Sequence, residues 1–340
     1  MPPDHPPSAL RDQLRSWLEG ARRFIGWGDI AHLLSPIAPI ATVLDFILRH
    51  DPERLADRLD DRDPAFIAWL AEGAELLARL FRLEVHGLEN VPRTGPALLV
   101  GNHNGGLLPL DGLFTMAAIC RAQGPERAVH PLAHDLVLYD RVAHRFGARM
   151  GILRAGHDGA ERAFAAGHLA LVYPGSDIDT FRPWSERHQV ELGGRTGFLR
   201  LALRNGVPII PVLAAGTHEQ WIVLTRGDRL ARLLHTGALF RTKVLPLALA
   251  LPFGLTLGLF PYLPLPAQTT LAFGRPIRWP HLGPQAADDP AVLARCYAEV
   301  KDAMQTVLTA LARDRVPFLG QPAAARAQID FVTSPREGVD

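Results

Sequence analysis

His103 is the residue whose type and setting point most directly to chemistry. It lies in Val100-Gly101-Asn102-His103-Asn104-Gly105-Gly106, directly after a strand expected at Ala97–Val100. Strand ends are where α/β folds usually present reactive side chains. An imidazole has its ordinary pKa near neutrality, so it can take a proton from a hydroxyl. Gly105 and Gly106 allow the backbone to approach a ligand closely. Asp111 opens the next helix and could turn back to hold the ring in one tautomer. That is the base–orienter logic of hydrolase triads, without their serine. The plainer alternative is a loop histidine bonded to backbone, with Asp111 a simple N-cap.

Further along stand Tyr173-Pro174-Gly175-Ser176-Asp177 and Phe181-Arg182-Pro183-Trp184. Gly194-Arg195-Thr196-Gly197-Phe198, Val207-Pro208-Ile209-Ile210-Pro211-Val212 and Gly216-Thr217-His218-Glu219 follow. His130, His134 and His218 read as structural polar residues. Arg195 suits either an anionic ligand or a helix cap. There is no Gly-x-Ser-x-Gly elbow, no phosphate-binding Gly-x4-Gly-Lys-Ser/Thr loop and no dinucleotide fingerprint in its proper context.

These residues need elements to hold them. From about residue 83, strand candidates at Leu83–His86, Ala97–Val100, Ala128–Pro131, Leu169–Tyr173, Pro208–Leu213 and Thr269–Phe273 alternate with helix candidates. The helices are expected at 111–122, 136–145, 158–166 and 195–204. Such alternation predicts an α/β domain with a mixed, largely parallel sheet flanked by helices. A last helix is expected to start at Asp289-Pro290, an N-cap followed by proline in the first turn.

Ahead of this domain, the apolar spacing of Leu10, Leu14, Trp17, Leu18, Ala21, Phe24 and Ile25 predicts one amphipathic helix over 10–27. Arginines lie beside its apolar stripe, which suits a bilayer surface or the protein's own core. Residues 30–48 are apolar but broken by Pro36, Pro39 and Asp45, so they read as an interfacial or core helix pair and not a span. Residues 64–82 return to helical spacing. No charged side chain occurs between Lys243 and Arg275, and five prolines interrupt that run. A shallow membrane-contacting lobe is the expectation there, since prolines would strip a spanning helix of hydrogen bonds. The expected organisation is a helical membrane-associating region at 1–81, a catalytic domain at 82–315 and a loosely ordered tail at 316–340.

Composition limits the partners. Lys plus Arg number 36 and Asp plus Glu 35, a formal charge of +1, which gives no electrostatic case for nucleic acid. Cys120 and Cys296 are far apart and lack metal-ligand spacing, so no metal site and a reducing compartment are expected. The N-terminus lacks the pattern of a signal peptide, and a cytosolic start is expected.

The ordered blocks resemble the glycerophospholipid acyltransferase family, in its diacylglycerol-acyltransferase-like, hemolysin-type bacterial branch, over about residues 82–280. Asn102-His103 with Asp111 looks like the family's His–Asp block, and Gly151-Ile152-Leu153-Arg154 stands where its acceptor-contacting block should be. Tyr173-Pro174-Gly175 and Val207-Pro208-Ile209-Ile210-Pro211 look like its third and fourth blocks. The resemblance implies an acyltransferase on the cytoplasmic membrane face, using acyl-CoA or acyl carrier protein as co-substrate and no bound cofactor. His103 and Asp111 would be catalytic. Asn102, Gly105, Gly106, Arg154, Tyr173, Pro174, Gly175, Ser176 and Arg182 would contact substrate. A lipid hydrolase or a non-enzymatic lipid-binding protein on the same fold are the alternatives. Two departures stand out: seven residues separate His103 from Asp111 where the family has four, and the third block lacks its usual Glu and Arg. Arg182 or Arg154 could supply the missing cation.

Overall fold

The computed structural model describes residues 7–33, 58–103, 109–134, 138, 140–234, 244–258 and 262–334. Helices α1 (Pro7–Ala21), α2 (Trp27–Leu33) and α3 (Pro64–Leu80) come first. Next come β1 (Glu84–His86), β2 (Ala97–Gly101), α4 (Leu110–Gln123), β3 (Val129–Ala133) and α5 (Arg141–Met150). They lead to β4 (Leu153–Arg154), α6 (His157–Ala165), β5 (Leu169–Val172), α7 (Ser176–Thr180), α8 (Gly197–Asn205) and β6 (Ile209–Ala215). A second unit holds β7 (Ile222–Thr225), α9 (Asp228–Leu233), β8 (Leu247–Ala250) and β9 (Gly254–Leu257). β10 (Thr270–Phe273), α10 (Pro290–Ala312) and α11 (Arg326–Thr333) complete the order.

The main sheet has seven strands in the order β1-β10-β6-β2-β5-β3-β4. Only the β10–β6 pair is antiparallel. This is the mixed, largely parallel α/β sheet that the alternating pattern predicts. β2 shows why it forms. Its run Ala97-Leu98-Leu99-Val100 is apolar on both faces, as a strand covered from both sides requires. Leu98 and Val100 join the core beneath α6, α8 and α10, while Ala97 and Leu99 join the core beneath α3 and α4. The period of two along a strand sends alternate residues to opposite layers.

Local chemistry places several element ends. Asp63 caps α3 by accepting from the Ala65 and Phe66 amides at 3.0 and 3.1 Å, with Pro64 in the first turn. Asp289 caps α10 in the same way, where the Asp-Pro pair predicts it. Of the helix expected at 136–145, the described part from 141 on lies in α5, while residues 135–137 and 139 lie outside the described residues. Asp140 accepts from the Val142 and Ala143 amides, both at 2.9 Å, and so caps α5.

The amphipathic stretch 10–27 is not one helix. α1 stops at Ala21, and Asp29 accepts the Gly26 amide at 2.8 Å as α2 begins. The stripe also divides. Trp17 stacks on Trp69 of α3 with ring centroids 5.0 Å apart, and each indole N–H donates to the other's carbonyl at 3.1 Å. Phe24 packs against Phe66 and Trp69. Leu10, Leu14 and Leu18 of α1 lie exposed, beside Arg11, Arg15 and Arg22. Of the broken apolar pair expected at 30–48, residues 30–33 end α2 and the rest lies outside the described residues.

Beyond Asp314 the described part of the chain makes buried polar contacts. Arg315 donates to both carboxylate oxygens of Glu219, at 2.8 and 3.2 Å, and to Gln268 Oε1 at 2.7 Å. Glu219 also accepts the Phe318 amide at 2.6 Å. α11 then buries Ile329 beside α10. A buried charge must be paired, and this pairing ties the tail to the turn after β6. Arg315→Met strands the Glu219 carboxylate, so about 3–5 kcal/mol of stability should be lost. Urea unfolding measures it, and a midpoint within error of wild type would refute this role for the pair.

Among the described residues, no helix is long and apolar enough to cross a membrane. Both cysteines are buried thiols.

Candidate active site

Strands β6, β2, β5, β3 and β4 run in one direction, so their C-terminal ends share an edge of the sheet. His103 follows β2 there, Tyr173-Pro174-Gly175 follows β5, and His218 follows β6. β2 lies between β5 and β6, and such a central crevice at strand ends is where open α/β sheets hold ligands.

Asn102 fixes the exit from β2. Its Nδ2 donates to Ala214 O at 3.1 Å, and its Oδ1 accepts the Ala214 amide at 2.8 Å. The residue is buried. Asn102, expected at the substrate, is thus spent on clamping β2 to β6, because both ends of its amide are already satisfied.

His103 and Asp111 meet in spite of the long spacing. Nδ1 of the ring is 2.9 Å from Asp111 Oδ2. Asp111 is buried in the first turn of α4, where the positive end of the helix favours a carboxylate. A carboxylate partner makes Nδ1 the protonated nitrogen and leaves the Nε2 lone pair as the basic site. The His103 side chain remains 20% exposed. Burial depresses its pKa, but the charge and hydrogen bond of Asp111 and the charge of Asp179 outweigh this and raise it. The Tyr173 ring stacks on the imidazole, centroids 4.5 Å apart and planes inclined by 24°. Gly101 leaves room for that ring, since a Cβ there would lie 2.4 Å from Tyr173 Cε1.

The turn after β5 is held from beneath. Arg195 Nη1 donates to the Pro174 and Gly175 carbonyls at 2.7 and 2.6 Å, and Nη2 donates to Asp177 at 3.1 Å. This settles Arg195 as a turn latch. Gly175 is required sterically, because a Cβ would stand 2.1 Å from Glu191 O and 2.3 Å from Asp179 Cβ. Ser176 follows with φ of 47°, in the left-handed region, and opens α7.

Asp179 is the participant that motif reading missed. It is fully buried, and its Oδ2 accepts the His103 main-chain N–H at 2.5 Å. Its Oδ1 accepts from Arg182 Nη1 at 2.6 Å. Burial pushes the Asp179 pKa up to about 6, against the lowering pull of Arg182 and of the His103 amide. Arg182 also donates through Nη2 to His218 Nε2 at 2.7 Å and through Nη1 to Gln189 O. His218 must then be neutral, and burial followed by the Arg182 charge holds its pKa well below the ordinary value. A buried chain thus runs from His103 through Asp179 and Arg182 to His218. The spacing Asp179-x-x-Arg182 was the available signal, since residues three apart on a helical turn can pair.

Arg182, expected to face an acceptor phosphate, is 1% exposed and committed to this chain. A lone buried cation would be costly, and Asp179 compensates it. Arg154 ends β4, three strand positions from β2, or roughly 14 Å at the usual strand spacing. Gly105 and Gly106 lie outside the described residues. His130 sits in β3 with Nδ1 donating to Gly151 O at 2.8 Å, and burial lowers its pKa to about 4, so it is a neutral structural histidine. Among the described residues, no group of three or more His, Cys, Asp or Glu side chains could hold a metal ion.

Residues 82–215 match the family model described as Acyltransferase. An uncharacterized protein of Mycobacterium tuberculosis is 35% identical over 241 residues, which is 71% of this chain and 64% of that relative's length. The chain therefore spans somewhat less than two thirds of this relative. The human protein described as DGAT1/2-independent enzyme synthesizing storage lipids is 30% identical over 55% of each chain. The crystal structure of the 1-acyl-sn-glycerophosphate acyltransferase of Thermotoga maritima aligns over 84% of this chain and 95% of that one, with 16% identity and a TM-score of 0.45. The stretch that carries His103, Asp111, Asp179 and Arg182 is thus an acyltransferase-family domain.

Proposed function

We propose that this protein transfers a fatty acyl group from a thioester donor, acyl-CoA or acyl carrier protein, to a lipid hydroxyl, with His103 as general base. The observation that carries the reading is the 2.9 Å His103–Asp111 pair, which leaves Nε2 basic at the ligand-binding edge of an acyltransferase-family domain. The acceptor hydroxyl gives its proton to His103 Nε2 while its oxygen attacks the thioester carbonyl. Asp111 keeps the ring in the productive tautomer and stabilises the imidazolium that forms. Collapse of the tetrahedral intermediate breaks the C–S bond. The leaving thiolate recovers the proton, so the free thiol carrier departs and the base is restored. Tyr173 walls one face of the imidazole, and the Pro174-Gly175 turn would border the acyl group. The relative named for storage-lipid synthesis supports mono- and diacylglycerols as acceptors to test. The burial of Arg182 argues against its use as a phosphate clamp.

The domain would lie on a membrane, on its cytoplasmic face, where acyl chains and their acceptors reside. The exposed leucines of α1 with their neighbouring arginines support residues 1–81 as one contact region, and 82–315 would be the catalytic domain.

The test is transfer from labelled long-chain acyl-CoA to a panel of lysophospholipids, lysophosphatidate, mono- and diacylglycerol and a long-chain alcohol. A labelled ester that appears with one acceptor class is the expected result. Release of free fatty acid without ester would instead make the protein a hydrolase. No turnover from either coenzyme A or carrier-protein donors would leave a lipid-binding role.

A further inference from the structure

The three-stranded sheet β7-β8-β9 is apolar on both faces. Val223, Ala248, Ala250 and Thr256 point inward, and the first three of these pack with Phe181, Trp221 and Tyr262. The outward positions are Ile222, Leu224, Leu247, Leu249, Leu255 and Leu257. Four of these leucines are 43–61% exposed. Register makes them one surface: Ile222 faces Leu249, Leu249 faces Leu255, and Leu247 faces Leu257. An antiparallel sheet with one face in water normally alternates apolar and polar residues. Here the solvent side carries aliphatic chains with one hydroxyl, that of Thr225 opposite Leu247, and Phe253 stands exposed at the hairpin turn. A surface of this kind marks an interaction site.

We propose that this outer face docks into the surface of an anionic lipid bilayer. Its chemistry favours lipid over protein. Protein interfaces enrich Tyr, Trp and Arg at their centres and surround them with polar rims. The face offers one hydrogen-bonding side chain, Thr225, whose hydroxyl accepts the Gly227 amide at 3.3 Å, and no charge occurs from 244 through 274. At the margin, α9 follows β7 and bears exposed Arg229 and Arg232 beside exposed Leu233. Aliphatic chains below a cationic rim match acyl tails below anionic head groups. Placement agrees with this occupant. β7 starts directly after the turn that carries His218, and Trp221 packs edge-on against Phe181, next to Arg182, at 5.7 Å. The face is therefore rooted at the edge of the fold that presents His103. The choice of a bilayer rests in part on the proposed lipid acceptor.

The test uses the full chain and vesicles of phosphatidylcholine with and without phosphatidylglycerol. The double variant Leu249→Asp, Leu255→Asp changes outward positions only, and circular dichroism and thermal melting check its fold. Removing two inserted leucines should weaken vesicle partitioning at least about tenfold. Arg229→Gln with Arg232→Gln should weaken binding to the anionic vesicles alone. Transfer to a water-soluble short-chain acceptor should persist in both. Unchanged partitioning by the folded leucine variant overturns the proposal. So does a wild-type dimer that ignores vesicles and that the leucine changes dissociate, which would make the face a contact between copies. Vesicle binding lost in the leucine variant, with no ester formed even by wild type, sustains the docking face and removes the proposed reaction.

Discussion

Alanine at position 103 is expected to lower acyl transfer by ~10²–10⁴-fold at saturating acceptor, the usual range for loss of a general base. The variant also leaves the buried Asp111 carboxylate without its imidazole partner, so some stability should be lost, and circular dichroism and thermal melting establish that the protein assayed is folded. The loss should fall on kcat, since the proton is removed only on the way to the transition state. The wild-type pH profile should bear the same signature. A base must be neutral, and the fields of Asp111 and Asp179 raise the His103 pKa above its ordinary value. Activity should therefore decline as pH falls through that raised pKa. Asp111→Asn removes a negative charge beside the ring, so the acidic limb should move to lower pH while the maximum drops. Near-normal transfer by His103→Ala would remove His103 from the chemistry.

The second large effect concerns Asp179, which touches the base only through the main chain and is a positioning residue. Asp179→Ala strands the buried Arg182 guanidinium and frees the His103 amide. The expected cost is about 3–5 kcal/mol of stability, from an uncompensated buried charge. A purely structural role would end there, so the conservative Asp179→Asn carries the sharper test. Its carbonyl can still accept the His103 N–H, and some stability should return. Its neutral side chain no longer raises the His103 pKa, so the acidic limb of activity should move to lower pH. A folded Asn variant with an unshifted limb would show that Asp179 does not act on His103. Loss of kcat with little change in KM would fit a displaced base better than a weakened acceptor site.

Much of this site was legible before any fold was known, for reasons that are local. A buried parallel strand needs an unbroken apolar run, and Ala97–Val100 has one. Helix starts at Asp63-Pro64 and Asp289-Pro290 are set by side-chain caps and a proline that needs no hydrogen-bonded N–H. His103 and the turn Tyr173-Pro174-Gly175 follow such strands, so the order of elements alone places them on one edge. Where local signals compete, the reading shifted. The amphipathic stripe of 10–27 is cut where Phe24 turns onto α3.

The sequence by itself therefore determined the α/β class, the acyltransferase-family blocks and the identity of the candidate base. Only the tertiary structure decided which polar residues serve that base. Asn102, Arg182 and Arg195 carry groups that could meet a substrate, but each is engaged by partners distant in sequence or hidden in a turn. Seven residues separate Asp111 from His103, and their pairing depends on the path of the chain between them. Burial is a property of the assembled layers: it turns Asp179, Arg182 and His218 into one chain, and leaves the leucines of β8 and β9 outside any layer. No spacing rule contains that information, because the energy of a buried charge or an exposed apolar face depends on what the rest of the chain brings beside it.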